Sequence, residues 1–261
     1  MNYQIHFKEN LYFTIKLIVT IVFYLTIIAI VVSIEGEKFI PFFPIVIYLG
    51  IFALYFLFRH GILIGYLKGN AIRVSESQFP EVYELAKNQS RKLGLSKIPS
   101  IYVLQAGGLL NAFATRFFGS DFVVIYSDIL ETAYEQDNKA LEFIVAHELG
   151  HIKRKHSTKR LLLFPSFVVP FLNPAYSRAC EYTCDRIGYA LCPEGSVSGM
   201  LVLAAGKRLY SKINADDFLL RSRLEHGFWK WFAEIISSHP NLPKRIFEFK
   251  SLSDRTVFQA R

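Results

Sequence analysis

The chain has 261 residues, 30 Lys and Arg against 22 Asp and Glu for a net charge of +8, and 52% hydrophobic residues. A mean hydropathy of +0.26 with only 20% charged residues excludes a disordered chain or a fibre. It is also high for a soluble globule of this size, so part of the chain is expected inside a membrane.

The apolar excess is concentrated at the start. Residues 11–34 are interrupted by a single charge, Lys16, and residues 39–58 carry none, so each run is long enough to cross a bilayer. Only Glu35, Gly36, Glu37 and Lys38 separate them, which predicts a transmembrane hairpin over residues 1–70. A cleaved signal peptide would have a shorter apolar centre and small residues at a cleavage site, and none follows Ile34. Lys8, Lys16, Arg59, Lys68 and Arg73 flank the hairpin while its loop is net acidic. The positive-inside rule then puts both ends, and all of residues 71–261, in the cytoplasm. The odd set of Cys180, Cys184 and Cys192 suits that side as free thiols.

Beyond the hairpin, Pro80 opens a helical pattern over 80–95 that stops at Gly94. Residues 101–104 and 122–126 are short, β-branched and aromatic, bounded by Pro99, Gly107, Gly108 and Gly119, and predict a small antiparallel sheet. The period turns helical over 128–135, 138–156, 174–191 and about 193–213. The expected fold class is therefore mainly α with a small antiparallel β-sheet, behind an N-terminal transmembrane hairpin. Lys153, Arg154, Lys155, Lys159 and Arg160 stand just before the apolar residues 161–172, a combination expected to meet anionic membrane lipids. A pI near 9.3 also invites nucleic acid, but no basic motif interleaved with aromatics is present, and no such partner is expected. Oligomeric state is left open.

The helix over 138–156 contains His147, Glu148 and His151 in the HExxH pattern. Histidines at i and i+4 share one helical face, so two ring nitrogens reach one metal ion while the glutamate meets a water beside it. Two purely structural histidines are the alternative, but the helix around them is apolar, where unpaired imidazoles are costly. Arg154 and Ser157 stand where a metzincin would continue its motif, so the third ligand comes from another element. His156 is expected on the surface or at the membrane interface, about 140° round the helix from His151. Downstream, Glu181 and Asp185 share a face at i and i+4. As third zinc ligand and as acceptor for a ligating histidine's other N–H, both are explained; a solvated acidic stripe is the alternative. Cys180 and Cys184 are soft donors on the same helix and read as buried thiols instead.

HELGH, SRACEYTCD, NAFA and HPNLPKRI, in this chain spanning roughly 70–252, together resemble the HtpX-like and type-1 CAAX prenyl protease family of membrane zinc metallopeptidases. The resemblance implies a mostly helical zincin domain with one Zn2+ on His147, His151 and Glu181 and Glu148 as general base. It also implies that Asn111, Ala112 and Phe113 lie near a strand that holds substrate, and that His239 sits near the active site with Arg245 as a helper. A Gly-rich turn and a helix-stopping His-Pro are the plainer readings of those two segments. Members often have two more spans between the two ligand helices, whereas 161–172 is broken by Pro165 and Pro170 and too short to cross. An interfacial or re-entrant segment is preferred there over plain core. The expected function is a membrane-bound zinc metalloendopeptidase acting on extended or membrane-proximal polypeptides. A catalytically silent zinc-containing membrane scaffold is the rival, against which the complete set of ligands and base speaks.

Overall fold

The computed structural model describes residues 3–33, 43–105, 107, 111–135 and 138–259, with side chains as far as 253. The loop Glu35 to Lys38, the start of the second apolar run and Gly108 lie outside the described residues.

Helices α1 (Phe7–Ser33) and α2 (Phe43–Asn70) are both long and apolar enough to cross a membrane, and most of their side chains face outward. At about 1.5 Å per residue, a helix of 27 residues reaches about 40 Å against about 30 Å of bilayer hydrocarbon, so about seven residues are surplus. The N-terminal part of α1, as far as Thr20, packs on the folded domain. The His6 N–H donates to Thr183 Oγ1 at 3.1 Å, the Phe13 ring lies 6.5 Å from Tyr176, and Lys16 Nζ donates to Asn173 Oδ1 at 3.0 Å. As α1 advances, its partners on α7 (Leu172–Leu191) run backward, so the two helices are antiparallel. Glu9, Lys16 and Thr20 are the buried residues of α1.

A short β1 (Ile72–Arg73) and α3 (Pro80–Lys92) lead to β2 (Ser100–Leu104), β3 (Ala112–Phe117) and β4 (Ser120–Tyr126). The sheet order is β1-β2-β4-β3. Both edge pairings are antiparallel, but β2 and β4 run parallel, with Ser100 opposite Phe122 and Leu104 opposite Tyr126. The sheet is therefore mixed rather than wholly antiparallel. The reason is β3, which the polar and small residues of AFATRF conceal from a propensity reading. It pairs with β4 through the two-residue turn Phe118–Gly119, in which φ is +43° and +81°, the left-handed pair that a tight hairpin needs. Alternation along β4 then serves two layers. Val123 and Ile125 join the main core, whereas Phe122 and Val124 pack with Ile64 and Leu67 of α2. The sheet thus anchors the base of the second apolar helix.

Helices α4 (Ser127–Glu135) and α5 (Asn138–Lys153) follow. Helix α5 is buried without interruption from Phe143 to Gly150, as a central helix packed on every side must be. The expected helix over 138–156 ends three residues early, because Lys155 takes a left-handed conformation with φ +55°. A new helix, α6 (His156–Leu162), starts there and runs into a 3-10 turn, Phe164–Val168. The chain continues through α7 and α8 (Ser196–Ala205), and the helical reading of 193–213 breaks at Gly206, φ +84°. Three more helices, α9 (Ala215–Leu224), α10 (Phe228–Ile236) and α11 (Leu242–Gln259), complete it.

Candidate metal centre

The site forms where α5 crosses α7. Gly150 makes that crossing close: a Cβ there would lie 3.3 Å from Cys184 Sγ and 3.4 Å from the Cys184 Cα, tighter than ordinary contact. With α7 drawn in, Glu181 faces the two histidines of α5. His147 Nε2 and His151 Nε2 are 3.3 Å apart, His147 Nε2 is 3.4 Å from Glu181 Oε2, and His151 Nε2 is 3.3 Å from Glu181 Oε1. Ligands about 2.1 Å from a tetrahedral zinc ion are about 3.4 Å from one another, so the two imidazole nitrogens already have ligand spacing, and each faces a different oxygen of the Glu181 carboxylate at the same range. The donor set therefore fits zinc in chemistry and in spacing.

Around these donors the charges are paired. His147 Nδ1, buried and without an aligned hydrogen bond, lies 3.0 Å from Asp185 Oδ1. Arg245, buried on α11, donates to both Asp185 oxygens at 2.7 and 2.6 Å and lies 3.3 Å from Glu181 Oε2. Burial opposes a charge on His147, but Asp185 and Glu181 outweigh it and push its pKa up to about 10. Burial likewise works against Asp185 and Glu181 as carboxylates, yet Arg245 on the first and the two histidines on the second hold both below the usual carboxylate range. Two carboxylates and one permanent cation thus surround the two imidazoles. Glu148, next to His147 in the chain, is buried.

His239 lies on the loop between α10 and α11, with its side chain 64% exposed and Nε2 3.6 Å from Glu181 Oε1. Arg178, less than a turn before Glu181, holds that loop by donating to the carbonyls of Glu234, Ile235 and Ser237 at 2.7–2.8 Å. Asn111 is exposed just before β3, where its carbonyl accepts from the Tyr126 N–H at 3.0 Å, while Ala112 and Phe113 open that edge strand, which packs on α5. The three cysteines are free and buried. Burial pushes the Cys180 and Cys184 thiols up, so both rest protonated.

One expectation is overturned. His156 is only 4% exposed, not on the surface or at an interface, because the turn at Lys155 removes it from the helix of His151 and folds its ring back. Its Nδ1 faces His151 Nδ1 at 3.0 Å, its Nε2 lies 3.3 Å from Glu9 Oε1, and burial lowers its pKa to about 4. The basic run is altered in the same way. Arg154 donates to Glu9 Oε1 at 3.1 and 2.8 Å, Lys159 lies 3.7 Å from it, and Arg160 donates to Ser177 Oγ at 3.4 Å, so three of those five charges have partners within the protein. Glu9 has one sequence signal: a carboxylate at the first turn of an apolar helix.

Residues 76–171 and 162–253 match Peptidase family M48, about two thirds of the chain. The chain is similar to the plastoglobule-localized metallopeptidase 48 of Arabidopsis thaliana, 26% identical over 59% of this chain and 49% of that protein. It is also similar to a protease HtpX homolog of Thermodesulfovibrio yellowstonii, 29% identical over 54% of this chain and 48% of that one. The chain thus spans about half the length of the curated relatives it matches. In fold it resembles the crystal structure of S. mikatae Ste24p, with a TM-score of 0.50 and 14% identity over 91% of this chain and 63% of that one.

Proposed function

The chain belongs to peptidase family M48, and on that premise we propose that it is a membrane-bound zinc metalloendopeptidase with one Zn2+ held by His147, His151 and Glu181. The observation that carries this reading is the convergence of His147 Nε2, His151 Nε2 and the Glu181 carboxylate, each nitrogen 3.3–3.4 Å from the other and from one carboxylate oxygen. A bound zinc ion supplies Lewis-acid chemistry, acidifying a water and polarising the scissile carbonyl. Glu148, not itself a ligand, receives the water's proton and returns it to the leaving nitrogen. His239 offers an N–H to the developing oxyanion from its exposed position next to Glu181. Asp185, fixed by Arg245, accepts the remaining His147 N–H and keeps that ring oriented.

An extended polypeptide pairs its main chain with the edge strand at Asn111, Ala112 and Phe113, which makes recognition broad. Past His239 a cavity of about 1160 Å³, lined by Tyr182, Phe218, Trp231 and Phe247 among others, takes the side chains beyond the scissile bond. The apolar helices form a two-span hairpin over residues 1–70, leaving residues 71–261 as the peptidase domain in the cytoplasm. The membrane surface lies where α1 leaves α7. There the 3-10 turn packs on α1 while Leu161 (76% exposed), Phe164, Phe167 and Val168 face outward, the composition of a segment resting in lipid.

The reading is tested on the purified full chain in detergent with an unfolded polypeptide as substrate. Cleavage that a chelator stops and zinc restores, and that Glu148→Gln lacks, supports it; a zinc-loaded wild type that cleaves nothing points to the silent scaffold instead.

A further inference from the structure

A histidine that ligates a metal through one ring nitrogen is oriented by what accepts the proton on the other. For His147 the acceptor is the carboxylate of Asp185 at 3.0 Å, backed by Arg245. Among the described residues no carboxylate lies at the Nδ1 of His151. Its neighbour there is the Nδ1 of His156, at 3.0 Å, a nitrogen that the Cys184 Sγ also approaches, more distantly, at 3.7 Å. Two imidazole nitrogens share a single hydrogen bond only if one carries the proton and the other a lone pair. With His151 donating, the His156 proton belongs on Nε2, and that nitrogen is buried, without an aligned partner, 3.3 Å from Glu9 Oε1.

Glu9 completes a second arrangement of the same kind. It is fully buried in the first turn of α1, and Arg154 and Lys159 converge on the oxygen that faces His156. A carboxylate taken wholly out of water costs several kcal/mol unless paired and hydrogen-bonded. A helix that needed only to cross a bilayer would gain nothing from it. We infer that His156 and Glu9 are positioning residues that hold the zinc ligand His151 in its tautomer and orientation, so that the first apolar helix is part of the support of the metal centre. The two ligands of α5 are then held by parallel devices. His147 leans on Asp185 and Arg245, whereas His151 leans on Glu9 and Arg154 through one interposed imidazole.

This inference rests on the zinc reading above, and its test separates the two. The dissociation constant for zinc is measured by chelator competition on the purified full chain, for wild type, His156→Phe, Glu9→Gln, their double variant and Lys16→Met. His156→Phe keeps the ring's bulk and leaves the Glu9–Arg154 pair in place, and is expected to weaken zinc about 10- to 100-fold. Glu9→Gln weakens it by less. The double variant is no weaker than His156→Phe alone, because the two residues act in series. Lys16→Met loosens the packing of α1 on α7 at Asn173 and leaves affinity unchanged. With cobalt in place of zinc, the visible absorption bands shift in His156→Phe and Glu9→Gln and stay put in Lys16→Met. Wild-type affinity in both His156→Phe and Glu9→Gln overturns the inference while leaving the zinc reading intact, as does a loss in Lys16→Met equal to theirs. Should His156→Phe fail to fold, Glu9→Gln against Lys16→Met decides on the same criteria. A wild type that binds no zinc overturns both.

Discussion

The crossing of α5 and α7 and the outward face of α1, α2 and residues 161–171 depart from the ordinary burial rule in opposite directions. At and beside the crossing, Glu148, Glu181, Asp185, Arg245, His147 and His156 are buried, together with Glu9 from α1. On the outward face Leu161, Phe164 and Phe167 stand beside two helices whose Ile, Leu and Phe side chains are mostly exposed. Water is the wrong solvent for either region. Buried ions persist where they are paired with one another or with a metal, and apolar surface persists where lipid replaces water. On the reading proposed above, the two environments are a metal ion and lipid, with α1 running from one to the other.

Charge removal inside breaks the comparison most strongly. Glu148→Gln is expected to lower kcat about 10²- to 10⁴-fold while zinc stays near one per chain, because the base is not a ligand; steady-state cleavage with metal analysis on the same sample checks both halves. His147→Ala, His151→Ala and Glu181→Ala should each lose stoichiometric zinc, and an unaltered affinity in Glu181→Ala would move the third ligand elsewhere. Asp185→Asn should weaken zinc about 10- to 100-fold, as loss of an orienting carboxylate does. Arg245→Met leaves Asp185 buried without its bidentate partner and should lower Tm, at a cost of about 3–5 kcal/mol, readable by thermal unfolding with chelator present.

The smallest expected effect belongs outside. Phe167→Ser removes a half-exposed ring proposed to rest in lipid; full burial of a Phe is worth about 1.5–3 kcal/mol, so half of it changes vesicle partitioning by well under one hundredfold. The readout is fluorescence quenching by lipid-bound quenchers of a probe at position 167, placed by a cysteine substitution there; a probe quenched only from water would put 161–171 in solution.

The difference between the regions also governs what was legible in the sequence. HELGH and Glu181 with Asp185 are local i, i+4 patterns, so periodicity alone puts each pair on one helical face. The two apolar runs are equally plain. His156 was misjudged because extending α5 at 3.6 residues per turn carries it away from His151, and nothing in the side chain of Lys155 announces a left-handed turn, as Gly or Asn would have done. Glu9 meets His156 across 147 positions of sequence, a contact that exists only once α1 is laid antiparallel on α7. The parallel pairing of β2 with β4 was hidden for a related reason: two apolar strands in succession look like neighbours in a hairpin until a less apolar third, β3, is recognised between them.

Two imidazoles and one carboxylate are proposed to hold a single zinc ion in the full chain. Zinc K-edge absorption spectroscopy on the purified, stoichiometrically loaded protein measures it directly. The account predicts one zinc per chain with nitrogen and oxygen neighbours only, at about 2.0–2.1 Å, two of them showing the outer-shell scattering of imidazole. A sulfur neighbour at about 2.3 Å would place the ion on Cys180 or Cys184 instead and contradict the assignment of the site.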